Sequence, residues 1–160
     1  MNMKKLNILL FALIFILLVI VMSNTKVWIN THSDSEETPE QFITKAFDYF
    51  NQESNEQMNG LSSSPFFVVM GEKTTLFDGY GDAINFDGIK EDGWVSTQIN
   101  GLTVLYENKE SALVTVDFSR VNGLDVAYST SLGHYLLVKQ DNLWKLKGAL
   151  FLGDLSLGEV

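Results

Sequence analysis

The fold is decided near the end of the chain by Gly133-His-Tyr-Leu-Leu-Val-Lys-Gln-Asp-Asn-Leu-Trp-Lys-Leu-Lys-Gly-Ala-Leu-Phe151. Two apolar runs flank Asp141-Asn142, a pair that accepts the left-handed backbone of a tight turn. Lysines interrupt both runs, as expected where one face of a strand meets water. The stretch therefore predicts a long hairpin at the centre of a curved antiparallel sheet.

The register of this hairpin decides which side chains face the core. With a strict two-residue turn, Lys139 would face Trp144, and apolar and charged residues would mix on both faces. With one extra residue in the turn, Val138 faces Leu146, and most apolar residues share one face. We prefer the second register because it gives a mainly apolar face, and it directs His134 toward that face.

Length and composition limit the class of protein. A chain of 160 residues allows one domain plus an appendage. Its net charge of -9 repels phosphate backbones, so we expect no nucleic-acid partner. The sequence has no cysteine, which excludes disulfides, thiolate metal sites and cysteine nucleophiles. Eleven Phe, five Tyr and three Trp are enough for a packed core or an aromatic-lined pocket.

The N-terminus predicts a membrane segment over residues 1–22. Leu6 to Met22 is almost purely apolar and is about long enough to span a hydrocarbon core. Lys4 and Lys5 precede it, which places the N-terminus in the cytoplasm and the domain outside, in the periplasm or the extracellular space. The alternative is a signal peptide cleaved near 23–25, which would secrete the domain. Both interpretations export it.

A polar linker over 23–37 leads to a helix start at Thr38-Pro39-Glu40-Gln41, a capping box with proline in the first turn. Apolar residues then recur at helical spacing up to Phe50. A second box at Ser54-Asn-Glu-Gln57 predicts a short helix that ends at Asn59-Gly60.

Strand patterns begin at Pro65, with a first pair over 66–70 and 74–77. Further strands are predicted at 102–106, 111–120, 126–138 and 143–152, and Asn100-Gly101 is interpreted as a turn. Short turns between consecutive strands imply an antiparallel meander. The fold class is therefore α+β, a cone in which the early helices pack in a strongly curved sheet over 38–152, followed by a tail over 153–160.

Three stretches carry a resemblance to a known family: Ala46-Phe-Asp-Tyr-Phe-Asn51, Ala112-Leu-Val-Thr-Val-Asp-Phe-Ser-Arg120 and Tyr135-Leu-Leu-Val-Lys-Gln-Asp-Asn-Leu-Trp-Lys-Leu146. With the order of its elements, the chain resembles the nuclear transport factor 2-like superfamily, which includes SnoaL-like polyketide cyclases and ketosteroid isomerases. The resemblance implies a conical fold with a pocket, and frequent homodimers through the outer sheet face. It specifies function poorly because one fold hosts many activities.

Two residues are candidates for catalysis. His134 is the only histidine of the predicted domain, and the preferred register points it into the cone, where a general acid or base would sit. Tyr49 lies on the first helix, where a ketosteroid isomerase-like site carries a tyrosine donor. For each residue, packing in or near the core is the competing interpretation.

Four residues are candidates for ligand binding. Arg120 is in phase with Val116 and Phe118, which would bring it to the mouth of the pocket to bind an anion or to pair with an acidic neighbour. Trp94, Tyr128 and Trp144 could form walls of the site, although core packing is the simpler role of each.

The acidic segment 78–92 suggests calcium, and Asn85-Phe-Asp87-Gly88 is similar to part of an EF-hand loop. Ala83 would however occupy the first ligand position, and Trp94 the closing glutamate position. We therefore expect a solvated acidic loop, with no metal site and no cofactor.

Three functions follow from these observations. The first is an exported, membrane-tethered domain that binds a small apolar ligand or a protein partner. The second is a cofactor-free isomerase, cyclase or dehydratase that uses His134 with Tyr49. The third is a structural dimerisation module.

Overall fold

The computed structural model describes residues 36–152 and 155–158. The fold described below belongs to the unit that begins at residue 37. The predicted membrane segment and nearly all of the predicted linker lie outside the described residues. In the part of the chain that is described, no helix combines the length and the apolar character needed to cross a membrane.

Among the described residues, three α-helices and one 3-10 turn form the helical part. They are α1 (Pro39–Asn51), α2 (Asn55–Leu61), the 3-10 turn (Gly81–Ala83) and α3 (Phe86–Glu91). The predicted capping box begins α1: the Gln41 N–H donates to Thr38 Oγ1 over 3.3 Å, and the Thr38 N–H donates to Gln41 Oε1 over 3.0 Å. The helix α2 begins where the second box predicted a start, but Ser54 makes no side-chain cap hydrogen bond, and the helix runs on to Leu61, past the predicted end at Asn59-Gly60. Part of the segment predicted as an acidic loop is the helix α3.

Six strands form one sheet in the order β2-β1-β6-β5-β4-β3. They are β1 (Ser62–Met70), β2 (Lys73–Phe77), β3 (Ser96–Glu107), β4 (Ser111–Val121), β5 (Ala127–Gln140) and β6 (Leu143–Leu152). The predicted meander from β3 to β6 is confirmed, whereas β1 joins β6 as a parallel neighbour. This order leaves β2 and β3 as the two edge strands.

The predicted turn at Asn100-Gly101 is wrong. These residues lie inside β3, where the pairing with β4 shifts between Ile99 and Gly101. The Asn100 side chain donates to Asp117 Oδ1 over 3.1 Å and to Ser119 Oγ over 2.8 Å. An Asn-Gly pair is therefore used here as a bulge held by the neighbouring strand, and not as a chain reversal.

The central hairpin has a two-residue turn, and its bulge lies further along β6. Asp141 and Asn142 take the left-handed conformation, with φ of 52° and 63°. Lys139 pairs with Trp144, so the extra residue that we predicted in the turn is not there. The pairing shifts at Lys147 instead, between the pairs Leu137–Leu146 and Leu136–Gly148.

Beyond this shift His134 pairs with Leu150, and both lie on the outer face. Tyr135 and Leu137 of β5 are buried, at 3% and 0% exposure. Because side chains alternate along a strand, His134 points away from the core. The prediction that His134 faces the concave side is therefore wrong, and the cause is the position of the bulge.

The core lies between α1 and the concave face of the sheet. Phe47 of α1 packs edge-on against Phe118 and Tyr135, with ring centroids 5.6 and 5.9 Å apart. Phe50 packs against Phe86 and Trp94 at 5.2 and 5.4 Å. These aromatic contacts fix the helix in the cone and close most of its interior.

We expect Gly81→Ala to destabilise the domain. A Cβ at this position would lie 2.3 Å from the backbone oxygen of Asn55, and neither backbone can move without breaking the contact of the 3-10 turn with α2. The expected loss of unfolding free energy is about 1–3 kcal/mol, the usual cost of overpacking. Urea unfolding followed by tryptophan fluorescence measures it.

The matched control for this change is Gly60→Ala in α2. A Cβ there meets nothing within 4 Å. Alanine also favours the helix, so we expect no loss and a gain of up to about 1 kcal/mol. Equal losses in the two variants would show that the close approach at Gly81 is unimportant.

Candidate functional site

A small cavity lies inside the cone. Its volume is about 20 Å³, and it is lined by aromatic, aliphatic and polar side chains: Phe47, Phe50, Tyr80, Ile84, Thr97, Phe118, Arg120, Tyr135, Phe151, Leu155 and Leu157. A volume of this size has room for about one water molecule. The cone is thus nearly filled, and the C-terminal residues Leu155 and Leu157 are part of the filling.

Arg120 is the charged group of this cavity. Strand β4 alternates Val116, Phe118 and Arg120 toward the core, and the arginine is only 4% exposed. This confirms the predicted phase of the strand. Its Nε atom is buried without a hydrogen-bond partner. Such an atom is costly in a low-dielectric interior, because it has lost its water and gained no acceptor.

The groups around Arg120 only partly offset the cost of burying its positive charge. Burial lowers the pKa of the guanidinium, while the nearby Tyr128 hydroxyl, as a hydrogen-bond partner, and the charge of Asp92 raise it. Among the described residues, the two salt bridges are Lys45–Glu37 and Lys90–Glu53, and neither involves Arg120. A cation therefore lies in the cone with no carboxylate in direct contact.

Two buried phenols share the cavity with Arg120. Burial raises the pKa of Tyr80, and the charge of Arg120 opposes this rise only in part. Burial likewise raises the pKa of Tyr135, with a further rise from Tyr80 and a partial offset from Arg120. Both hydroxyls thus stay protonated at neutral pH, and they can donate hydrogen bonds but cannot act as bases.

Thr97 and Trp94 form a fixed wall beside the cavity. The backbone of Thr97 makes two hydrogen bonds with the Asn51 side chain, at 2.7 and 2.9 Å. Trp94 Nε1 donates to Thr97 Oγ1 over 2.9 Å. Trp94 does not line the cavity itself, and it packs behind Phe50. Trp94 therefore lies behind the lining, where it holds Thr97 in place, and it does not form the predicted wall of the cavity itself.

The other two predicted ligand-binding residues lie in different places. Tyr128 is beside Arg120 at the start of β5 and is 39% exposed, so it lies at the rim. Trp144 is buried elsewhere, where its Nε1 donates to the backbone oxygen of Glu37 over 2.8 Å. Trp144 does not line the cavity.

His134 and Tyr49 are not brought together. His134 lies on the outer face of the sheet, where Nδ1 is 2.8 Å from Thr115 Oγ1. It lines an apolar groove of about 410 Å³ with Leu113, Leu136 and other outer-face residues. Tyr49 is half-buried on α1 and packs against the core from the concave side, without lining the cavity. The sheet therefore separates the two candidate catalytic residues.

Sequence reasoning missed Tyr80, Tyr135 and the tail leucines. Tyr135 could have been found by alternation with Leu137, had the bulge been placed at Lys147. Tyr80 lies between two glycines in a segment without periodicity. Among residues 36–152 and 155–158, no group of three or more His, Asp or Glu side chains is arranged to hold a metal.

Comparison with known proteins identifies the fold. No family model matches the sequence, and no curated protein matches it either. Solved structures do match, among them a nuclear transport factor 2-like protein with a cystatin-like fold from Novosphingobium aromaticivorans, with a TM-score of 0.58 and 14% identity over 81% of this chain and 87% of that one.

Two further matches bear names that suggest activities. One is a proposed ketosteroid isomerase from Shewanella frigidimarina, with a TM-score of 0.55 and 11% identity over 74% of this chain and 98% of that one. The other is a proposed dehydratase of the same family from Streptomyces avermitilis, at 0.56 and 14% over 77% and 98%. At such identities the likeness establishes the fold: the domain has the nuclear transport factor 2-like, cystatin-like fold, as the resemblance in the sequence implied.

We expect the two buried tyrosines to make the domain sensitive to alkali. Their folded-state pKa lies above the unfolded value of about 10, so their contribution to stability is complete below pH 10 and is lost as the pH rises above it. Each tyrosine then lowers the unfolding free energy by about 1.4 kcal/mol per pH unit.

Urea unfolding at a series of pH values between 7 and 12 measures this slope. The double variant Tyr80→Phe/Tyr135→Phe should show a shallower fall than the unmodified protein. If both proteins lost stability equally above pH 10, the tyrosines would not be buried as described.

Proposed function

We propose that the cone binds a small organic anion, a carboxylate with an apolar body, through Arg120. The observation that carries this proposal is the guanidinium itself. It is 4% exposed, its Nε has no partner, and it lies in an aromatic cavity.

Energetics support a ligand for Arg120. A buried charge without a carboxylate partner costs several kcal/mol, and an apolar residue of similar volume is usually no worse for folding. Arg120 is also the only arginine in the sequence. A bound carboxylate would give the guanidinium two parallel hydrogen bonds and would remove the cost.

The other polar groups of the cavity suit an anion. Tyr80 and Tyr135 remain protonated and can donate, and the Thr97 hydroxyl lies in the same lining. The described lining contains no aspartate or glutamate that would repel the ligand. Asp92 influences Arg120 from outside this lining.

Binding is favoured over catalysis because proton transfer needs a base within reach of the substrate. The described lining offers donors and a cation, but no imidazole and no carboxylate. The isomerase, cyclase or dehydratase hypothesis relied on His134, which lies across the sheet. The activities in the names of the structural neighbours are therefore weaker support than the donor set of the cavity.

The predicted N-terminal anchor completes the proposal. It would hold the binding domain at the outer surface of a membrane, with the N-terminus in the cytoplasm. The homodimer through the outer sheet face stays a prediction, and the apolar groove around His134 is the surface to which it applies.

Arg120→Met tests the binding role. We expect acetate, which carries the charged group with a minimal apolar body, to bind the unmodified protein in titrations followed by amide chemical shifts and to lose all measurable binding to Arg120→Met. Acetamide, the neutral analogue, should bind neither protein strongly. The variant should keep or gain stability, by up to about 4 kcal/mol, because it removes an unpaired buried charge.

The matched control is Lys109→Met, which removes the same charge from the exposed turn between β3 and β4. It should bind acetate as the unmodified protein does. Equal binding by Arg120→Met and Lys109→Met would refute the proposal, and so would a large loss of stability in Arg120→Met alone, which would make the arginine structural.

The location can be tested separately in cells. We expect the full chain to sediment with membranes and to resist extraction with carbonate, and added protease to degrade the domain in spheroplasts. A variant lacking residues 6–22 should remain in the cytosol, because it has lost the only long apolar run of the sequence. A full-length chain protected from external protease would contradict the predicted topology.

A further inference from the structure

A groove larger than the cavity lies next to it. Its volume is about 450 Å³, and it is lined by the concave sides of β1 and β2, by Ala83 and by the tail residues Leu157 and Gly158. Val68, Met70 and Phe77 make this lining mainly apolar, and Lys73 and Thr75 add polar groups from β2. The volume is in the range of sites for small organic molecules.

Leu157 is the residue that the two compartments share. It lines the cavity of Arg120 on one side and the groove on the other. Leu155, two residues earlier, is 5% exposed; it lines the cavity but not the groove. Leu157 therefore lies between the cavity of the guanidinium and the groove beneath the β1–β2 hairpin.

The tail is placed by its contacts with the start of α3. The Asn85 N–H donates to the Leu157 carbonyl oxygen over 3.0 Å. Gly158 has a φ of +77°, and a Cβ on it would lie 2.4 Å from the Asn85 oxygen. Only glycine allows this approach, and the approach fixes where the preceding Leu157 side chain enters the cone.

We infer that the cavity and the groove are two parts of one ligand site, and that Leu157 occupies the boundary until a ligand displaces it. The inference rests on the proposed function, because it takes the carboxylate on Arg120 as given. The carboxylate lies at Arg120, and the apolar body passes the position of Leu157 into the groove beneath β1 and β2. The ligand is therefore a carboxylate with a long apolar body, such as a medium-chain fatty acid.

The volume of the cavity and the apolar lining of the groove support this assignment. The cavity alone, at about 20 Å³, is too small for any apolar body, so the carbon chain has to go elsewhere. The groove is the adjoining space whose lining is apolar, through Val68, Met70 and Phe77. Displacing one leucine exposes less apolar surface than a buried chain of several methylenes covers, so the exchange is favourable for long ligands and unfavourable for short ones.

The test compares acetate with octanoate in NMR titrations of the full chain. Acetate carries the charged group alone, and octanoate adds a chain for the groove. Octanoate should bind at least ~100-fold more tightly than acetate, since each buried methylene contributes about fourfold. Both ligands should lose binding in Arg120→Met.

Two variants test whether the apolar body of the ligand passes Leu157 into the groove. Leu157→Ala removes the side chain between the cavity and the groove, and it should raise the affinity for octanoate about tenfold relative to the affinity for acetate, since the closed state no longer competes. Thr75→Trp fills the groove and should weaken octanoate about tenfold, while sparing acetate. Leu76→Trp is the control, because Leu76 is the next residue of β2, is 66% exposed and does not line the groove.

The outcomes separate this inference from the proposed function. If both carboxylates bind through Arg120 but the affinity for octanoate relative to acetate is unchanged in Leu157→Ala and in Thr75→Trp, the shared site is refuted and the anion site stands. If neither carboxylate binds any of the proteins, the proposed function fails and the inference fails with it. A surface variant, Thr75→Trp, keeps the test decisive even if Leu157→Ala folds poorly.

Discussion

The structure depends on which side chains of β6 point into the core, because the alternation of inward and outward residues changes once along this strand. Trp144 and Leu146 are buried at even positions, whereas Ala149 and Phe151 are buried at odd ones. A regular strand would place one of these pairs on the outer face, because its side chains alternate. The extra residue at Lys147 reverses the alternation and keeps both pairs in the core. Gly148 follows it, where a Cβ would lie 2.4 Å from the Phe67 ring.

The two-residue turn sets the chemistry of both faces of β5. It pairs Leu137 with the buried Leu146, and so Tyr135 enters the cone while His134 faces out. The cone then holds hydrogen-bond donors and a cation, and the outer face holds the imidazole. One extra residue in the turn, in place of the bulge at Lys147, would therefore have exchanged the inward and outward side chains of β5.

Most of the fold could be predicted because its signals are local. The capping box at Thr38, the Asp141-Asn142 turn and the alternation around Arg120 each depend on residues within a few positions of one another. The bulge at Lys147 lies where Gly148 meets the ring of Phe67 from another strand, a contact that no pattern within the hairpin reveals. Asn100-Gly101 has a turn composition, yet the side chains of β4 hold it as a bulge. Tyr80 enters the site through packing of a segment that has no periodicity.

The tail shows why the site could not be predicted from the sheet alone. A cone with a guanidinium inside cannot leave empty space around it, because an apolar void forfeits dispersion contacts and an isolated charge needs a polar neighbour. Leu155 and Leu157 supply the apolar contacts, and they do nothing for the free Nε of Arg120. The filling is therefore nearly complete in volume, and it leaves a polar atom of Arg120 without a partner. That mismatch is what distinguishes a closed binding site from an ordinary core, where residues that fill the space also satisfy the polar groups.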